Sequence, residues 1–471
     1  MYIYNTLTKE KELFKPIVPG KVSLYHCGPT VYWVQHIGNL RAVFFSDTVV
    51  RVFKYHNLET NLVRNYTDVG HLQGDNEGDA DSGLDRMEAG SKRENLTPLE
   101  IASKYIDIYE KDISLIGALA PDHAPRATEH VKDMMVMVQS LLDKGFAYIT
   151  GSAVYFDTSK LTDYTKLSGQ KLDQLKSGAG YGGVTDNSKK NPADFSLWFF
   201  KTGAHEHALQ TWDSPFISPE TNSGFGFPGW HIECSAMSKR FLGNTFDVHM
   251  GGIEHIPVHH TNEIAQSESA NGVPYVKYWL HNEHLLVDSV KMAKSSGTAY
   301  TLEDIILRDF SPKSLRFFFL QAHYRSKQNF TWEALDASST AYNKLLKFIQ
   351  SVDDVGIVSQ NYKKKFLEKI SDDFNTPSAL AVVFEMMKDT SLSDKDKRAT
   401  LLDFDQVLGL GLVGSKSVTE EIPKNILDLA QARQSAKESK KWTDADKLRV
   451  EIEKLGYKIS DTADGFKLEK A

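Results

Sequence analysis

An alternation of strand and helix signals around a glycine-containing turn most restricts how the first part of this chain can fold. Lys21–His26 has the apolar pattern of a short strand, and the turn sequence Cys27-Gly28-Pro29 follows it directly. Residues 40–55 have helical periodicity, and residues 60–65 are a second strand candidate. A strand, a glycine turn, a helix and a strand in this order are typical of a parallel sheet, whose ligands bind at the carboxyl ends of its strands. The pattern therefore predicts an α/β domain.

The rest of the chain divides into segments of different character. Helical periodicity extends over residues 97–142, and we interpret the three methionines at 134, 135 and 137 as core residues. Residues 168–194 are glycine-rich and polar, which predicts an exposed loop inside an insertion. The remaining predictions are strands at 195–200 and 246–248, helices at 302–306, 313–321, 332–352 and 376–388, a linker at 413–424, a helix or helix pair at 425–455, and a hairpin from 457–459 and 466–468.

Composition excludes several classes of protein. The 471 residues are 41% hydrophobic and 25% charged, which is ordinary for a globular protein and excludes a wholly disordered or collagen-like chain. The charges at Lys9–Glu12 do not fit a signal peptide, and we find no apolar run of the ~18 residues that a membrane span needs. Two cysteines and a net charge of −7 fit a reducing compartment and argue against indiscriminate nucleic-acid binding. We expect a cytoplasmic protein with no membrane partner.

Two local sequences have the character of phosphate-binding elements. His36-Ile37-Gly38-Asn39 directly precedes a predicted helix, whose first turn would offer free N–H groups and partial positive charge. Lys291-Met292-Ala293-Lys294 begins a Ser/Gly-rich loop from which two ammonium groups could reach a polyphosphate. Taken alone, the first sequence fits a helix cap with a packed histidine equally well, and the second fits a solvated surface loop.

Residues of three metal-binding types, cysteine, histidine and glutamate, occur in distant parts of the chain. Cys27 and Cys234 are 207 positions apart, and His259-His260 is followed by Glu263. If this last segment is helical, a histidine and the glutamate lie on one face, and together with both cysteines they would form an S₂NO set suited to Zn²⁺. Spacing alone does not choose between the two histidines. The alternative is that the cysteines are buried hydrophobes and that the histidine and glutamate form a structural ion pair.

Together these sequences resemble the cysteinyl-tRNA synthetases, a family of class I aminoacyl-tRNA synthetases. The likeness runs from residue 4 to residue 465 and therefore covers nearly the whole chain. Its landmarks stand in the family's order: residues 27–32, 36–39, 65–68, 229–237, 249–252, 258–266, 291–297, 372–377, 445–446 and 448–449.

The resemblance implies a role for individual residues. It makes Cys27, Cys234, His259 and Glu263 the ligands of one zinc ion per chain. It makes His36, Asn39, Lys291 and Lys294 catalytic, with His36, Gly38, Asn39 and Lys294 binding ATP, and it places Gly28, Thr67, Trp230 and His249 around the cysteine substrate.

This sequence departs from the family pattern at three places. Asn39 stands where the first signature has a histidine, and Ala293 replaces the first serine of the lysine signature. Residues 69–71 and the acidic run at 75–85 replace a segment that is acidic-basic in the family, so we carry no role over from that region.

The resemblance implies a cysteine–tRNA ligase that joins cysteine to ATP, with Mg²⁺, and then transfers cysteine to its tRNA. We expect a monomer with a Rossmann-like catalytic domain, an insertion too short for an editing domain, a helical bundle and a small α+β tail. Arg433, Lys437, Lys440, Lys441 and Trp442 form a predicted tRNA-binding patch, the alternative being a solvated helix face. The expected boundaries are 1–118 and 197–285 for the catalytic halves, 119–196 for the insertion, 286–325 for the stem-contact region, 326–415 for the bundle and 416–471 for the tail.

Two other functions compete with this one. A ligase that joins cysteine to an amino-sugar would keep the zinc and both signatures but would lack the anticodon-side domains, which residues 416–471 supply here. A zinc-stabilised RNA-binding protein without catalysis would have lost His36 or the lysines, and this sequence retains them.

Overall fold

The computed structural model describes residues 1–72, 85–170, 188–292, 298–354, 356–412, 423–462 and 465–470. The chain divides into two compact units. The first consists of Met1–Phe348 and Val352–Leu412, and the second of Ile349–Ser351 and Val413–Ala471. Within the described residues, no helix combines the length and apolarity needed to cross a bilayer.

A four-stranded parallel sheet forms the centre of the first unit. Its spatial order is β10-β9-β3-β4, and every neighbouring pair is parallel. The strands are β3 (Lys21–His26), β4 (Glu59–Arg64), β9 (Phe246–Gly252) and β10 (Val276–Asn282). Helix α1 (Ile37–Tyr55) connects β3 to β4, and α6 (His259–Asn271) connects β9 to β10. The predicted α/β fold is therefore confirmed, and the predicted second strand differs from β4 by one residue.

A second sheet, antiparallel, lies between the two pairs of parallel strands in sequence. It consists of β5 (Ala147–Ile149), β6 (Ala153–Phe156), β7 (Phe195–Phe200) and β8 (Gly226–Pro228). Every residue of β7 is buried, and Met134 and Met137 belong to the same core, as predicted. The expected boundary between residues 196 and 197 lies within β7, and the antiparallel sheet continues to Pro228. Part of the predicted exposed loop, residues 171–187, is outside the described residues.

The segment predicted to be helical over 97–142 forms two helices. Thr97 and Glu100 form a capping box at the start of α3 (Pro98–Ile116), and Gly117 ends that helix in the left-handed conformation at φ 79°. Chain between the helices runs beside β4, where Arg64 N–H donates to the carbonyl of His123 at 3.0 Å. Helices α2 (Arg86–Glu94), α4 (Val131–Asp143) and α5 (Trp230–Leu242) complete this part of the unit.

Helices dominate after the parallel sheet, in agreement with the sequence pattern. The elements are β11 (Leu285–Val287), β12 (Val290–Lys291), α7 (Leu302–Ile306), α8 (Pro312–Leu320), β13 (Gln328–Phe330), α9 (Trp332–Ser351), α10 (Gln360–Ile370), α11 (Thr376–Lys388) and α12 (Asp394–Leu408). An N-terminal hairpin, β1 (Tyr2–Asn5) and β2 (Glu10–Leu13), also belongs to this unit.

The second unit has its own small core. Helices α13 (Lys424–Glu438) and α14 (Trp442–Lys454) precede the predicted hairpin, which the structure describes as β14 (Tyr457–Thr462) and β15 (Gly465–Lys470). Ile426, Ala430, Ile452 and Ile459 form its buried centre. Most of the predicted linker, residues 413–422, is outside the described residues.

Candidate active site

A cavity of about 290 Å³ opens at the carboxyl ends of β3 and β9, where ligands of parallel sheets bind. Its wall includes the turn after β3, the first residues of α1 and α5, and the chain that follows β9. Of the sequence-predicted residues, Cys27, Gly28, His36, Asn39, Thr67, Trp230, Cys234 and His259 line it. Residues far apart in the chain therefore share one cavity.

Two thiols, an imidazole and a carboxylate form a buried cluster in this wall. Ligand atoms of Cys27, Cys234, His259 and Glu263 all lie within 4.8 Å of one another. The Sγ atoms of Cys27 and Cys234 are 3.8 Å apart, so the cysteines are free and not joined by a disulfide. His259 Nε2 is 2.9 Å from Glu263 Oε1, one helical turn along α6. The four residues that the resemblance selects are therefore brought together.

The distances between these atoms suit a tetrahedral zinc ion. With Zn–S bonds of about 2.3 Å and Zn–O bonds of about 2.1 Å, a tetrahedron has S–S edges of about 3.8 Å and S–O edges of about 3.6 Å. The structure has 3.8 Å between the two sulfurs and 3.7 Å between Cys27 Sγ and Glu263 Oε1. The nitrogen–oxygen distance between His259 and Glu263 is 2.9 Å, shorter than the ~3.4 Å edge, and the other ligand atoms lie within 4.8 Å of one another. The S₂NO donor set and its spacing thus fit Zn²⁺.

The neighbouring His260 takes part in a second possible donor set. This set consists of Cys27, His249, His260 and Glu263. His260 Nε2 is 3.3 Å from Cys27 Sγ, while its Nδ1 is 2.7 Å from His281 Nε2. The second set has one sulfur where the first has two, and soft thiolate ligands favour zinc. Donor chemistry therefore favours the set that contains His259.

Burial and close contacts shift the pKa values of the cluster residues in different directions. Burial acts to raise the pKa of Cys234, but contacts with Cys27 and His259 outweigh it and lower the pKa to about 6. Burial and the neighbouring Cys234 raise the pKa of Cys27 well above its usual range. Although burial opposes it, the carboxylate of Glu263 raises the pKa of His259 to about 10. The cluster thus brings groups that favour opposite charges close together in the cavity wall.

The first signature lies at the start of α1. His36 is the N-cap residue, and its Nδ1 accepts a hydrogen bond from the backbone N–H of Asn39 at 3.2 Å. Because Nδ1 accepts, Nε2 is the protonated, donating nitrogen. A Cβ on Gly38 would lie 2.4 Å from Cε of Met292, so the chain of the lysine signature passes directly over this glycine.

Both ends of the lysine signature are anchored near α1. Lys291 ends β12, whose backbone pairs with Leu286 of β11. After the signature, the carbonyl of Tyr300 accepts a hydrogen bond from Ile37 N–H at 2.8 Å. Lys294 is outside the described residues, as is Ala293.

Of the residues that the resemblance assigns to the cysteine substrate, Gly28, Thr67 and Trp230 line the cavity and His249 does not. A Cβ on Gly28 would lie 1.6 Å from the carbonyl oxygen of Asn65, so only glycine fits there. Thr67 Oγ1 donates to Glu233 Oε2 at 2.9 Å, and Trp230 is 8% exposed at the cavity wall. His249 is fully buried and its Nε2 lies 2.7 Å from Glu263 Oε2, so it contacts a possible metal ligand rather than the cavity.

His71 is one of the cavity residues that the sequence did not predict. The ring of His71 stacks on Trp230 with centroids 4.0 Å apart and planes 5° from parallel, and its Nδ1 is 2.5 Å from Thr30 Oγ1. His71 lies in the segment where the sequence departs from the family pattern, so no role was carried over to it. That departure is the feature of the sequence that could have pointed to His71. Of the acidic run beside it, only Asp85 is described, as the N-cap of α2.

In the second unit, part of the predicted tRNA-binding patch has an internal role. Arg433 is buried and donates to Asp461 at 2.8 Å, and Lys437 Nζ is 2.7 Å from the same carboxylate. These two contacts join α13 to β14 and correct the prediction that Arg433 belongs to an open basic face. Trp442 remains 59% exposed.

Comparison with known proteins gives matches along the whole chain. Residues 13–340 match the model of the class I (C) tRNA synthetase catalytic domain, and residues 365–412 match the DALR domain. Cysteine–tRNA ligase 1 of Burkholderia lata is 39% identical over 467 residues, covering 99% of this chain and 96% of that protein. Cysteine–tRNA ligase of Caldicellulosiruptor saccharolyticus is 37% identical over 491 residues and covers all of both chains.

Solved structures show the same fold at low sequence identity. Mycobacterium tuberculosis methionyl-tRNA synthetase with methionyl-adenylate has a TM-score of 0.55 at 13% identity, covering 83% of this chain and 90% of that one. The Agrobacterium radiobacter leucyl-tRNA synthetase ternary complex has a TM-score of 0.58 at 10% identity, covering 84% of each chain. These likenesses support the Rossmann-like class of the catalytic domain.

Proposed function

Because the chain belongs to the cysteine–tRNA ligases, a family of class I aminoacyl-tRNA synthetases, we propose that it converts cysteine and ATP to cysteinyl-adenylate and then transfers cysteine to the 3′ end of its tRNA. The enzyme is a ligase by family. Beyond family membership, we propose the adenylate intermediate, a zinc ion that recognises the substrate thiolate, and catalytic and binding roles for individual residues.

The first step is attack by the cysteine carboxylate on the α-phosphate of ATP, with pyrophosphate leaving and Mg²⁺ accompanying the nucleotide. The task of the protein is to position the reactants and to stabilise charge that develops on the phosphates. His36, at the N-terminus of α1, and Asn39 line the cavity, and the helix N-terminus and the donating Nε2 of His36 would serve this purpose. Lys291 and Lys294 would add two positive charges from the adjoining loop.

Recognition of cysteine needs more than shape. Serine replaces sulfur with oxygen and is smaller, and pocket contacts against such an analogue give only roughly 10²-fold discrimination where about 10⁴ is required. The difference is ~3 kcal/mol. Zinc held by Cys27, Cys234, His259 and Glu263 would supply a soft Lewis acid that favours a thiolate over a hydroxyl.

One observation carries this proposal: three of the four prospective ligands, Cys27, Cys234 and His259, line the cavity beside Thr67 and Trp230. A substrate side chain entering the cavity can therefore approach the cluster itself. A structural zinc site would instead be closed off from ligands.

The tRNA would be bound outside this cavity. The helical bundle contains the match to the DALR domain. In the second unit, Lys440 and Lys441 offer positive charge, and the exposed Trp442 offers a surface on which a base can stack. Arg433 is excluded from this role by its contact with Asp461.

The test is ATP–pyrophosphate exchange with cysteine and with serine, followed by transfer to tRNA. We expect exchange with cysteine only, and transfer to cysteine tRNA. Exchange without transfer would support the amino-sugar ligase, and absence of exchange would support the binding protein.

A substitution in the metal cluster tests how cysteine is recognised. Cys234→Ser should lower zinc content and raise the KM for cysteine together, because one side chain serves both. Lys239→Ala, further along α5 and outside the cluster, is the control and should change neither. Cysteine affinity that survives complete removal of zinc would contradict the metal-recognition proposal.

A further inference from the structure

Asn65 directly follows β4, at the same edge of the sheet as the turn that follows β3. Its side chain is fully buried and therefore shielded from bulk water. The resemblance gives it no role, although Thr67, two residues further on, is assigned to the cysteine substrate. Buried side-chain amides are normally held by hydrogen bonds, so the partners of this amide indicate which groups it orients.

The oxygen of this amide holds Gly28. Asn65 Oδ1 accepts a hydrogen bond from the backbone N–H of Gly28 at 2.9 Å. A backbone N–H can only donate, so the atom that faces it must be the oxygen, which fixes the orientation of the amide. The backbone carbonyl oxygen of Asn65 also lies against Gly28, where a Cβ would be only 1.6 Å away. The backbone and the side chain of Asn65 thus both define the position of Gly28 in the cavity wall.

The nitrogen of the same amide holds Thr67. Asn65 Nδ2 donates to Thr67 Oγ1 at 3.2 Å, and the Thr67 hydroxyl donates to Glu233 Oε2 at 2.9 Å. All three side chains are buried. A hydroxyl that accepts from one buried side chain and donates to another is held in one orientation. Asn65 and Glu233 together therefore set the direction in which the Thr67 hydroxyl faces the cavity.

The amide also lies close to the metal cluster. Asn65 Oδ1 is 3.8 Å from Sγ of Cys234, a prospective zinc ligand. Gly28 follows β3, Thr67 follows β4 and Cys234 lies in α5, so these groups come from three parts of the chain. Asn65 contacts all three and therefore relates the position of the substrate pocket to that of the cluster.

We propose that Asn65 is a positioning residue for the cysteine substrate, which holds Gly28 and Thr67 in the arrangement that binds cysteine beside the metal cluster. The inference rests on the proposed function, because Gly28 and Thr67 form a substrate pocket only if the chain binds cysteine. Asn65 is not itself among the residues that line the cavity, so it acts through those that do. A binding group displaced by about 1 Å can reduce activity roughly 10²-fold.

Asn65→Ala tests this role by pyrophosphate exchange. We expect the KM for cysteine to rise about 10- to 100-fold, while the KM for ATP and the zinc content stay within about twofold of the wild type. Asn375→Ala is the matched control, because the Asn375 side chain also orients backbone, as the N-cap of α11, but lies in the helical bundle. It removes a helix cap and should leave both KM values unchanged.

A double variant shows whether Asn65 acts through Thr67. Thr67→Val removes the hydroxyl that Asn65 holds and should itself raise the KM for cysteine. When Thr67→Val is already present, Asn65→Ala should multiply this KM by a smaller factor than it does in the wild-type chain, because the two residues act as one unit.

Asn65→Asp is a second variant of nearly the same shape, which keeps the test available if Asn65→Ala does not fold. Its carboxylate still accepts from the N–H of Gly28 but cannot donate to Thr67. It should therefore also raise the KM for cysteine.

Four outcomes would overturn the proposal: an unchanged KM for cysteine in the folded variants, equal rises in KM for cysteine and for ATP, loss of zinc in proportion to the loss of cysteine binding, or independent effects in the double variant. The wild type distinguishes this inference from the proposed function. If the wild type exchanges with cysteine and one of these outcomes is found, only the role of Asn65 fails. If the wild type shows no exchange, the proposed function fails and the role of Asn65 fails with it.

Discussion

At the scale of single residues, His259 and His260 are neighbours at the start of α6 whose ring nitrogens contact different groups. His259 Nδ1 lies 3.0 Å from His231 Nδ1 and its Nε2 faces Glu263, whereas His260 lies between Cys27 and His281. We expect His259→Asn to abolish stoichiometric zinc binding. His260→Asn should lower the affinity for zinc by at most roughly 10- to 100-fold, the effect expected of a residue that contacts a ligand but not the ion. Zinc content after dialysis, measured by mass spectrometry, distinguishes them, and the reverse result would favour the second donor set.

The stacked pair of His71 and Trp230 supports a second prediction at this scale. His71→Ala removes a stacking contact worth about 0.5–1.5 kcal/mol, and it should raise the KM for cysteine about 2- to 10-fold because Trp230 loses its support. His71→Phe keeps a ring at this position and should restore most of the affinity. Steady-state pyrophosphate exchange gives both constants. A change confined to kcat, with KM untouched, would mean that the stack does not position the substrate pocket.

At the scale of secondary-structure elements, a buried ion pair joins α1 to α8. Arg316 Nη2 lies 2.5 Å from Asp47 Oδ2, both side chains are fully buried, and Arg51 contacts the same carboxylate at 2.8 Å. Asp47→Asn leaves Arg316 uncompensated and should lower the free energy of unfolding by about 3–5 kcal/mol. Asp372→Asn, which breaks an exposed pair with Lys11, should cost about 1 kcal/mol or less. Denaturant unfolding compares them, and equal losses would contradict this account.

The same ion pair makes the stability of the fold depend on pH. Burial acts to raise the pKa of Asp47, but Arg316 and Arg51 outweigh it and hold the pKa below the ordinary value of 3.8. Because the folded state binds the proton less readily than the unfolded state, the pair stabilises the fold fully above pH 3.8. This contribution is lost as pH falls below that value. Unfolding midpoints from pH 6 to pH 3 should therefore fall more steeply for the wild type than for Asp47→Asn.

Local sequence predicted most elements and some of their boundaries, but not the contacts between elements. The strand at Lys21–His26 and the helix at Thr376–Lys388 follow from periodicity and end signals alone. The helical pattern over 97–142 hid a break, although Gly117 and the prolines after it were visible as stop signals. Contacts such as Arg433 with Asp461 depend on the fold of the hairpin, which periodicity does not supply.

At the scale of the whole molecule, the candidate site could be assembled from the sequence only through the resemblance. Cys27 and Cys234 are 207 positions apart, and no spacing rule brings their sulfurs to 3.8 Å. The parallel sheet does so, because Cys27 directly follows β3, which pairs with β9, while α5 carries Cys234 to the same cavity.

The division into two units leads to the last prediction. Every described residue assigned to zinc, ATP and cysteine belongs to the first unit, whereas Lys440, Lys441 and Trp442 belong to the second. A chain that ends at Leu412 should keep its zinc and its pyrophosphate exchange within about twofold, but its charging of tRNA should fall at least tenfold, because part of the proposed tRNA surface is gone. In the full-length chain, Trp442→Ala should reduce charging by a smaller factor and leave exchange unchanged. If the shortened chain charges tRNA as well as the full chain does, the second unit has no part in binding tRNA; if exchange is lost, the first unit needs the second for its own stability.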